Sequence, residues 1–291
     1  MDLSFFRERM EQYRVLNLII SQHGEVIGEL DTDDRARRNI YSASKSFTSA
    51  AVGIAQREGL LSIEERLVDA FPDDLPETVS DHLQKATVRD LLTMALGQEK
   101  AFLMGGERPY IKEDDWVKLS LSIPLVYEPG THFVYNNVGP YLAGVLVQRR
   151  AGCDLVSYLM PRLFGPLGIR RPTWEADPMG YTFGAGGLFL NVEELHKLGL
   201  LYLQDGCWNG KQLVPAEWVR ESTRRQVENG TPYGYGYLFW GSPCGAFRAD
   251  GKYCQLSFIL RDKYAVITTV SECRDSEGLI TAIFEELYPR L

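Results

Sequence analysis

The positions of the strand-like segments limit the possible folds of this sequence more than any other feature. These segments lie near the two ends of the chain, at residues 15–21, 25–31, 233–240, 246–249, 255–260 and 264–271. The sequence between them has mainly helical periodicity. The two sets of strands can share one antiparallel sheet only if the helical part is inserted beside that sheet. The pattern therefore predicts an α+β fold, in which an antiparallel sheet of N- and C-terminal strands is flanked by helices.

A chain of 291 residues is long enough for one large domain with a sizeable core. We predict a single domain over residues 1–291, with a sheet lobe at about 1–40 and 220–291 and a mainly helical lobe at about 41–219. The helical segments are expected at residues 3–14, 42–57, 62–71, 87–96, 139–151, 192–203 and 279–287.

Charge and composition exclude several classes of function. A formal net charge of −8 argues against a nucleic-acid-binding protein, which needs a basic surface. No apolar run reaches the roughly 18–20 residues of a membrane span, and charges interrupt the N-terminal segment too early for a signal peptide. The five cysteines are scattered and odd in number, which favours neither a disulfide framework nor a zinc site. We expect a cytoplasmic protein with no metal or other cofactor.

A serine and a lysine open the helical segment after residue 40. Ser42 and Lys45 are three residues apart, so they share one face of a helix, whereas Ser44 and Lys45 do not. A lysine amine can act as a base toward a serine hydroxyl if desolvation lowers its pKa. The alternative is a chance S-x-x-K pattern on a solvated helix surface. A catalytic role for Ser42 and Lys45 therefore requires further polar groups from elsewhere in the chain.

A second polar group lies nearly a hundred residues later, in Tyr135-Asn136-Asn137. The Tyr135 hydroxyl could relay protons, and the Asn137 amide could hold a substrate carbonyl. The alternative is helix capping, because adjacent asparagines are common before a helix.

Together these motifs resemble the serine β-lactamase and penicillin-binding-protein superfamily, and most closely its class C β-lactamase, DD-peptidase and esterase branch. The resemblance rests on S-A-S-K at 42–45 and on Y-N-N at 135–137. Further stretches occur in the same order, namely L-L-T-M-A-L-G at 91–97, L-F-G-P-L-G at 163–168, G-G-L at 186–188 and the segment 198–218.

The resemblance implies a role for each matching residue. Ser42 would be the acylated nucleophile, Lys45 its base or proton partner, and Tyr135 the second general acid/base. Asn137 would bind the amide or ester side of the substrate. The backbone N–H of Ser42 would supply half of the oxyanion hole.

The third motif of the family departs from its usual form. The family places a Lys or His, a small residue and Gly on a strand beside the site, whereas this chain has Ala249-Asp250-Gly251 followed by Lys252. The resemblance implies that the backbone N–H of Lys252 would supply the other half of the oxyanion hole. Arg248 or Lys252 could compensate for the missing base, although adjacent residues of a strand point to opposite faces.

Other catalytic arrangements have less support. A Ser-His-Asp triad would have to use one of four histidines, and no G-x-S-x-G elbow is present. Gly184–Gly187 lacks the Lys-Ser/Thr of a phosphate loop and is interpreted as a bend. The sequence thus predicts a serine hydrolase that acts on a small ester or amide without nucleic-acid or membrane partners. The alternative is a catalytically idle relative that binds a ligand or partner in its cleft.

Overall fold

The strands at the two ends of the chain form one sheet in the computed structural model, which describes residues 1–291. The strands are β1 (Val15–Gln22), β2 (Glu25–Asp31), β3 (Arg38–Asn39), β4 (Phe189–Leu190), β5 (Cys207–Trp208), β6 (Lys211–Gln212), β7 (Trp240–Gly241), β8 (Phe247–Gly251), β9 (Gln255–Leu260) and β10 (Ala265–Ser271). Six of them are ordered β2-β1-β10-β9-β8-β7, and all neighbours are antiparallel. The predicted α+β class is confirmed.

The chain forms eleven α-helices, nine of which lie between β3 and β7. They are α1 (Arg7–Gln12), α2 (Ser44–Arg57), α3 (Leu67–Ala70), α4 (Asp81–Lys85), α5 (Val88–Leu92), α6 (Trp116–Ser122), α7 (Val138–Ala151), α8 (Leu155–Leu159), α9 (Val192–Leu203), α10 (Ala216–Thr223) and α11 (Ser276–Ala282). No helix combines the length and the apolar character that crossing a bilayer would require.

The two faces of the sheet carry separate hydrophobic cores. One face is covered by the terminal helices, where Phe6, Met10 and Leu279 pack with Phe258 of β9. The other face contributes residues such as Ile259 to the larger core of the helical part. Each buried side chain of this size stabilises the fold by about 1.5–3 kcal/mol, so both chain ends are held firmly against the sheet.

The division between the lobes differs from the sequence prediction. Helix α9, placed in the helical lobe by sequence, packs on β1, β9 and β10. Conversely, Tyr237 and Phe239 lie beyond residue 220 but pack against Trp218 and Tyr202 in the larger core. Tyr237 and Phe239 lie there because their large rings are buried against these aromatic partners.

Two predicted helices are shorter than expected. Only residues 67–70 of the segment 62–71 are helical, because the carbonyls of Ile63 and Glu65 accept hydrogen bonds from the backbone of Arg89 and Val88. The helix predicted at 87–96 ends at Leu92, shortly before Met94 adopts a left-handed backbone with φ of +60°. Tertiary hydrogen bonds thus replace the helical ones.

The strand predicted at residues 233–240 is wrong for all but its last residue. Only Trp240 enters the sheet, and Gly234, with φ of +69°, turns the preceding chain. Gly236 lies so close to the carbonyl of Ser222 that a Cβ atom would collide with it. Aromatic residues raise strand propensity here, but the glycines shape a loop that lines the site described below.

Candidate active site

Ser42 lies in a short 3-10 turn, Tyr41–Ala43, immediately before α2. The turn is held from the preceding strand, because the Asn39 side chain accepts a hydrogen bond from the Tyr41 N–H at 2.7 Å. It is also held from β8, where Gly251 leaves no room for a Cβ atom against the backbone of Ile40 and Ala43. The half-buried Ser42 hydroxyl is thereby fixed where the helix, the sheet and solvent meet.

Lys45 is almost completely buried, with 1% of its surface exposed. Its Nζ atom lies 3.0 Å from Ser42 Oγ, 2.7 Å from Asn137 Oδ1 and 2.6 Å from the carbonyl oxygen of Ala185. Burial lowers the pKa of this amine to about 7, and the nearby positive charge of Arg108 acts in the same direction. A substantial fraction of Lys45 is therefore unprotonated at neutral pH.

Tyr135 is half-buried beside the lysine, with its ring centre 5.1 Å from Lys45 Nζ. Burial raises the pKa of its hydroxyl well above the ordinary value; the Ser42 hydroxyl opposes this rise and the charge of Asp250 adds to it. Tyr135 accordingly stays protonated at neutral pH. Its ring packs against that of Trp240 at 5.3 Å.

The two asparagines of the Y-x-N motif have different tasks. Asn136 caps α7, since its Oδ1 accepts from the Gly139 N–H at 3.0 Å. Asn137 accepts from Lys45 and donates through Nδ2 to the carbonyl of Leu103 at 2.9 Å. Both polar side-chain atoms of Asn137 are thus hydrogen-bonded within the protein. Helix capping, the alternative considered for this motif, is the task of Asn136.

Ser44, the other serine of the S-A-S-K motif, makes only backbone contacts. Its hydroxyl donates to the carbonyl of Tyr41 at 2.5 Å and accepts from the Leu188 N–H at 3.1 Å. This serine ties α2 to the chain that precedes β4, and its hydroxyl points away from Lys45.

The third motif lies on β8 as the sequence predicts, and its arginine is engaged in contacts within the protein. Ala249 is 1% exposed and faces the larger core. Arg248 and Asp250 share the opposite face of the strand and form an ion pair at 2.8 Å. Arg248 also donates to Gly241 and Ser242, so its guanidinium joins β7 to β8. Lys252 follows the strand, with its Nζ atom 4.9 Å from the centre of the Tyr253 ring.

Two groups near Lys45 were missed by the sequence interpretation. Gly184–Gly187 is indeed a bend, with φ of +66° and +79° at its two ends, but its Ala185 carbonyl also accepts from Lys45. Arg108 comes from the segment between α5 and α6, to which the sequence analysis assigned no role. No spacing pattern marks either group, because both reach the site through tertiary contacts.

The histidines lie elsewhere, and none is hydrogen-bonded to Ser42. His132 is exposed and stacked on Tyr127, and His82 contacts the Leu125 carbonyl at 2.9 Å. His196 is buried beneath the sheet, where it contacts Ser21. No group of three His, Cys, Asp or Glu side chains is arranged to hold a metal ion.

Nearly the whole chain matches a known protein family. The beta-lactamase family model matches residues 4–284. The structure of the octameric penicillin-binding protein homologue from Pyrococcus abyssi superposes with a TM-score of 0.78, at 20% identity, over 99% of this chain and 78% of that one. This likeness shows the fold.

Curated relatives match over a shorter region. Monacolin J acid methylbutanoyltransferase of Aspergillus terreus is 28% identical over 47% of this chain and 37% of its own length. Lovastatin esterase of Penicillium rubens is 29% identical over 45% of this chain and 37% of its own length. The matched region thus spans well under two thirds of these relatives.

Proposed function

The chain belongs to the beta-lactamase family, and from this premise we propose that it is a serine hydrolase whose Ser42 forms an acyl-enzyme with a small ester or amide. The observation that carries the proposal is the set of three oxygen atoms around Lys45 Nζ. A neutral amine has two N–H donors and one lone pair. The Asn137 and Ala185 carbonyl oxygens can only accept, so they take both N–H groups and leave the lone pair for the Ser42 O–H.

The pKa values of the two candidate proton-transfer groups are moved apart, which suggests a division of roles. Lys45, with its pKa lowered to about 7, takes the proton of Ser42 as the hydroxyl oxygen attacks the substrate carbonyl. Tyr135, whose pKa is raised, is the protonated group that gives a proton to the departing alcohol or amine. Lys45 then reprotonates Tyr135, and water releases the acyl group from Ser42 by the reverse sequence.

The oxyanion of the tetrahedral intermediate needs preorganised donors. We assign these to the backbone N–H groups of Ser42 and Lys252, because Gly251 holds the end of β8 against the turn that carries Ser42. Arg248 is already paired with Asp250 and bonded to the Gly241 carbonyl, and position 249 is an alanine instead of a basic residue. Neither residue is therefore free to bind a substrate carboxylate, which favours an uncharged acyl substrate. The names of the two fungal relatives, an esterase and an acyltransferase, agree with ester chemistry.

Turnover of a p-nitrophenyl ester tests the proposal. Ser42→Ala is expected to abolish turnover, whereas Ser44→Ala, which loses two backbone contacts, should only weaken it. Undiminished activity in a folded Ser42→Ala variant would overturn the assignment. A wild-type protein that neither turns over esters nor reacts at Ser42 would favour the idle, ligand-binding alternative. The cytoplasmic location stays a prediction.

A further inference from the structure

An arginine–glutamate pair lies on the outside of the bend that holds Lys45. Arg108 Nη1 lies 3.2 Å from Glu175 Oε2. Glu175 covers Gly187 so closely that a Cβ atom there would lie 2.6 Å from the Glu175 Cβ. Backbone hydrogen bonds join Glu175 to both ends of the bend, to Gly187 at 3.0 Å and to Phe183 at 2.8 Å.

The guanidinium of Arg108 is fixed on this bend. It lies over the Phe183 ring, 4.2 Å from the ring centre. Its Nε atom is buried and makes no hydrogen bond, which is an unusual arrangement for a strong donor. Ala185, the residue whose carbonyl receives the Lys45 N–H, is two positions from Phe183. The charge therefore lies against the same few residues that position the amine.

Few charges act on Lys45 from the elements packed around it. The groups in direct contact with Nζ, from α2, the start of α7 and the bend, are uncharged oxygen atoms, and Tyr135 is protonated. Two charged side chains affect the pKa of Lys45: Arg108 lowers it and Asp250 of β8 raises it. Asp250 is itself paired with Arg248.

We propose that Arg108 is a positioning residue of the active site: held by Glu175 and Phe183 against the bend whose Ala185 carbonyl contacts Lys45, its guanidinium supplies a fixed positive charge beside the amine. The proposal rests on the proposed function of Ser42 and Lys45. Arg108 does not need to touch substrate, since its guanidinium is held by Glu175 and Phe183. It acts through the positive field that it places beside a buried amine.

The pH dependence of kcat/KM for a neutral p-nitrophenyl ester tests this role, because its acid limb reports the base of the free enzyme. Arg108→Gln should move the midpoint of that limb upward by about 0.5–1 pH unit. At pH 6 a shift of one unit lowers the rate about tenfold. Arg108→Lys, which keeps the charge, should restore most of the wild-type profile. Asp250→Asn should move the midpoint downward.

A matched control is available on the protein surface. Arg162 also lies over an aromatic ring, 4.2 Å from the centre of Tyr158, and pairs with Glu58 at 2.9 Å. It does not contribute to the pKa of Lys45. Arg162→Gln should therefore leave the midpoint in place. An unshifted limb in Arg108→Gln, with activity lost equally at every pH, would show that Arg108 is only a structural residue and would overturn the proposal.

Direct titration of Lys45 separates this inference from the proposed function. The Lys45 side chain can be followed by NMR in lysine-labelled protein, with its signal assigned from Lys45→Met. A wild-type protein without turnover would contradict the proposed function, yet the amine could still be titrated. An Arg108→Gln variant whose Lys45 titrates at the wild-type pH would contradict the inference alone.

Discussion

The molecule contains two buried bases, each beside a serine, and they differ in what surrounds them. Lys45 contacts Ser42, which is partly open to solvent. His196 of α9 contacts Ser21 of β1 at 2.7 Å, but that serine is 1% exposed. Burial lowers the pKa of both bases, to about 7 for the lysine and about 3 for the histidine.

The partners of the two bases explain why we propose different roles for them. Both ring nitrogens of His196 are occupied by hydroxyls, because Nδ1 contacts Thr268 at 2.8 Å, and Thr268 in turn contacts Ser257 at 3.0 Å. This closed network joins α9 to three strands and offers no access to a substrate. We therefore expect no catalytic role for His196 and Ser21, because this serine does not face a cleft.

The largest expected effect is on ester turnover, which should depend on Lys45 but not on His196. Lys45→Met should lower ester turnover by about 10³-fold, because it removes the general base. His196→Asn should leave kcat/KM at pH 7.5 within about threefold of wild type in the folded protein. Steady-state kinetics of both purified variants measure the contrast. Comparable losses of turnover in the two variants would contradict the different roles proposed for Lys45 and His196.

A smaller effect on activity is expected where the sheet meets the Ser42 turn. Gly251→Ala places a Cβ atom against the Ile40 carbonyl and must displace β8 or the turn. A displacement of about 1 Å typically costs on the order of 10²-fold in rate, so kcat should fall by about 10- to 100-fold. Gly105→Ala is the matched control, since a Cβ there meets nothing within 4 Å. Equal activity in both variants would show that the close approach is unimportant for catalysis.

The hydrogen-bond network of His196 should affect the free energy of unfolding instead of the activity. The pKa of His196 is lowered in the folded protein, so its contribution is fully present above about pH 6.5 and is lost as the pH falls toward 3. Between pH 6.5 and pH 5 this amounts to about 2 kcal/mol of unfolding free energy. Urea unfolding at both pH values, compared with His196→Asn, isolates the loss. An equal pH dependence in the variant would show that His196 does not titrate on unfolding.

The cap of the helix that carries His196 should have the smallest effect. Asn191 Oδ1 accepts from the Glu194 N–H at 2.9 Å, and the Glu194 carboxylate accepts from the Asn191 N–H at 3.2 Å. Asn191→Ala should destabilise the protein by about 1 kcal/mol and leave kcat unchanged, as read by thermal unfolding and ester turnover. A large loss of activity would mean that α9 influences the site, contrary to its role as a structural helix.

The sequence predicted those parts of the fold that have strong local signals. Apolar periodicity and strand propensity identified helices α2, α7 and α9 and strands β1 and β2. The segments around Ile63 and Tyr233 differ from the prediction because distant backbone contacts and glycine packing override local preference. Such contacts have no signature in a single sequence.

The residues of the candidate site also fall into two groups, those with a local sequence signal and those without one. Ser42, Lys45 and Tyr135 belong to short motifs with a chemical reason for their spacing, and the structure brings them together. Arg108 and the Ala185 carbonyl belong to a loop and a bend, and only the folded chain places them beside the lysine. The sequence indicated that the third motif lacks its usual basic residue, but no pattern in it marked Arg108 as a neighbour of the site.

Covalent labelling tests the central claim, that Ser42 is an activated nucleophile, most directly. The folded protein would be incubated with a fluorophosphonate at pH 8, digested and mapped by mass spectrometry. We expect a single adduct on Ser42, which is lost in Lys45→Met and retained in His196→Asn. Labelling of Ser44 or Ser21, or no adduct on the folded wild-type protein, would contradict the account.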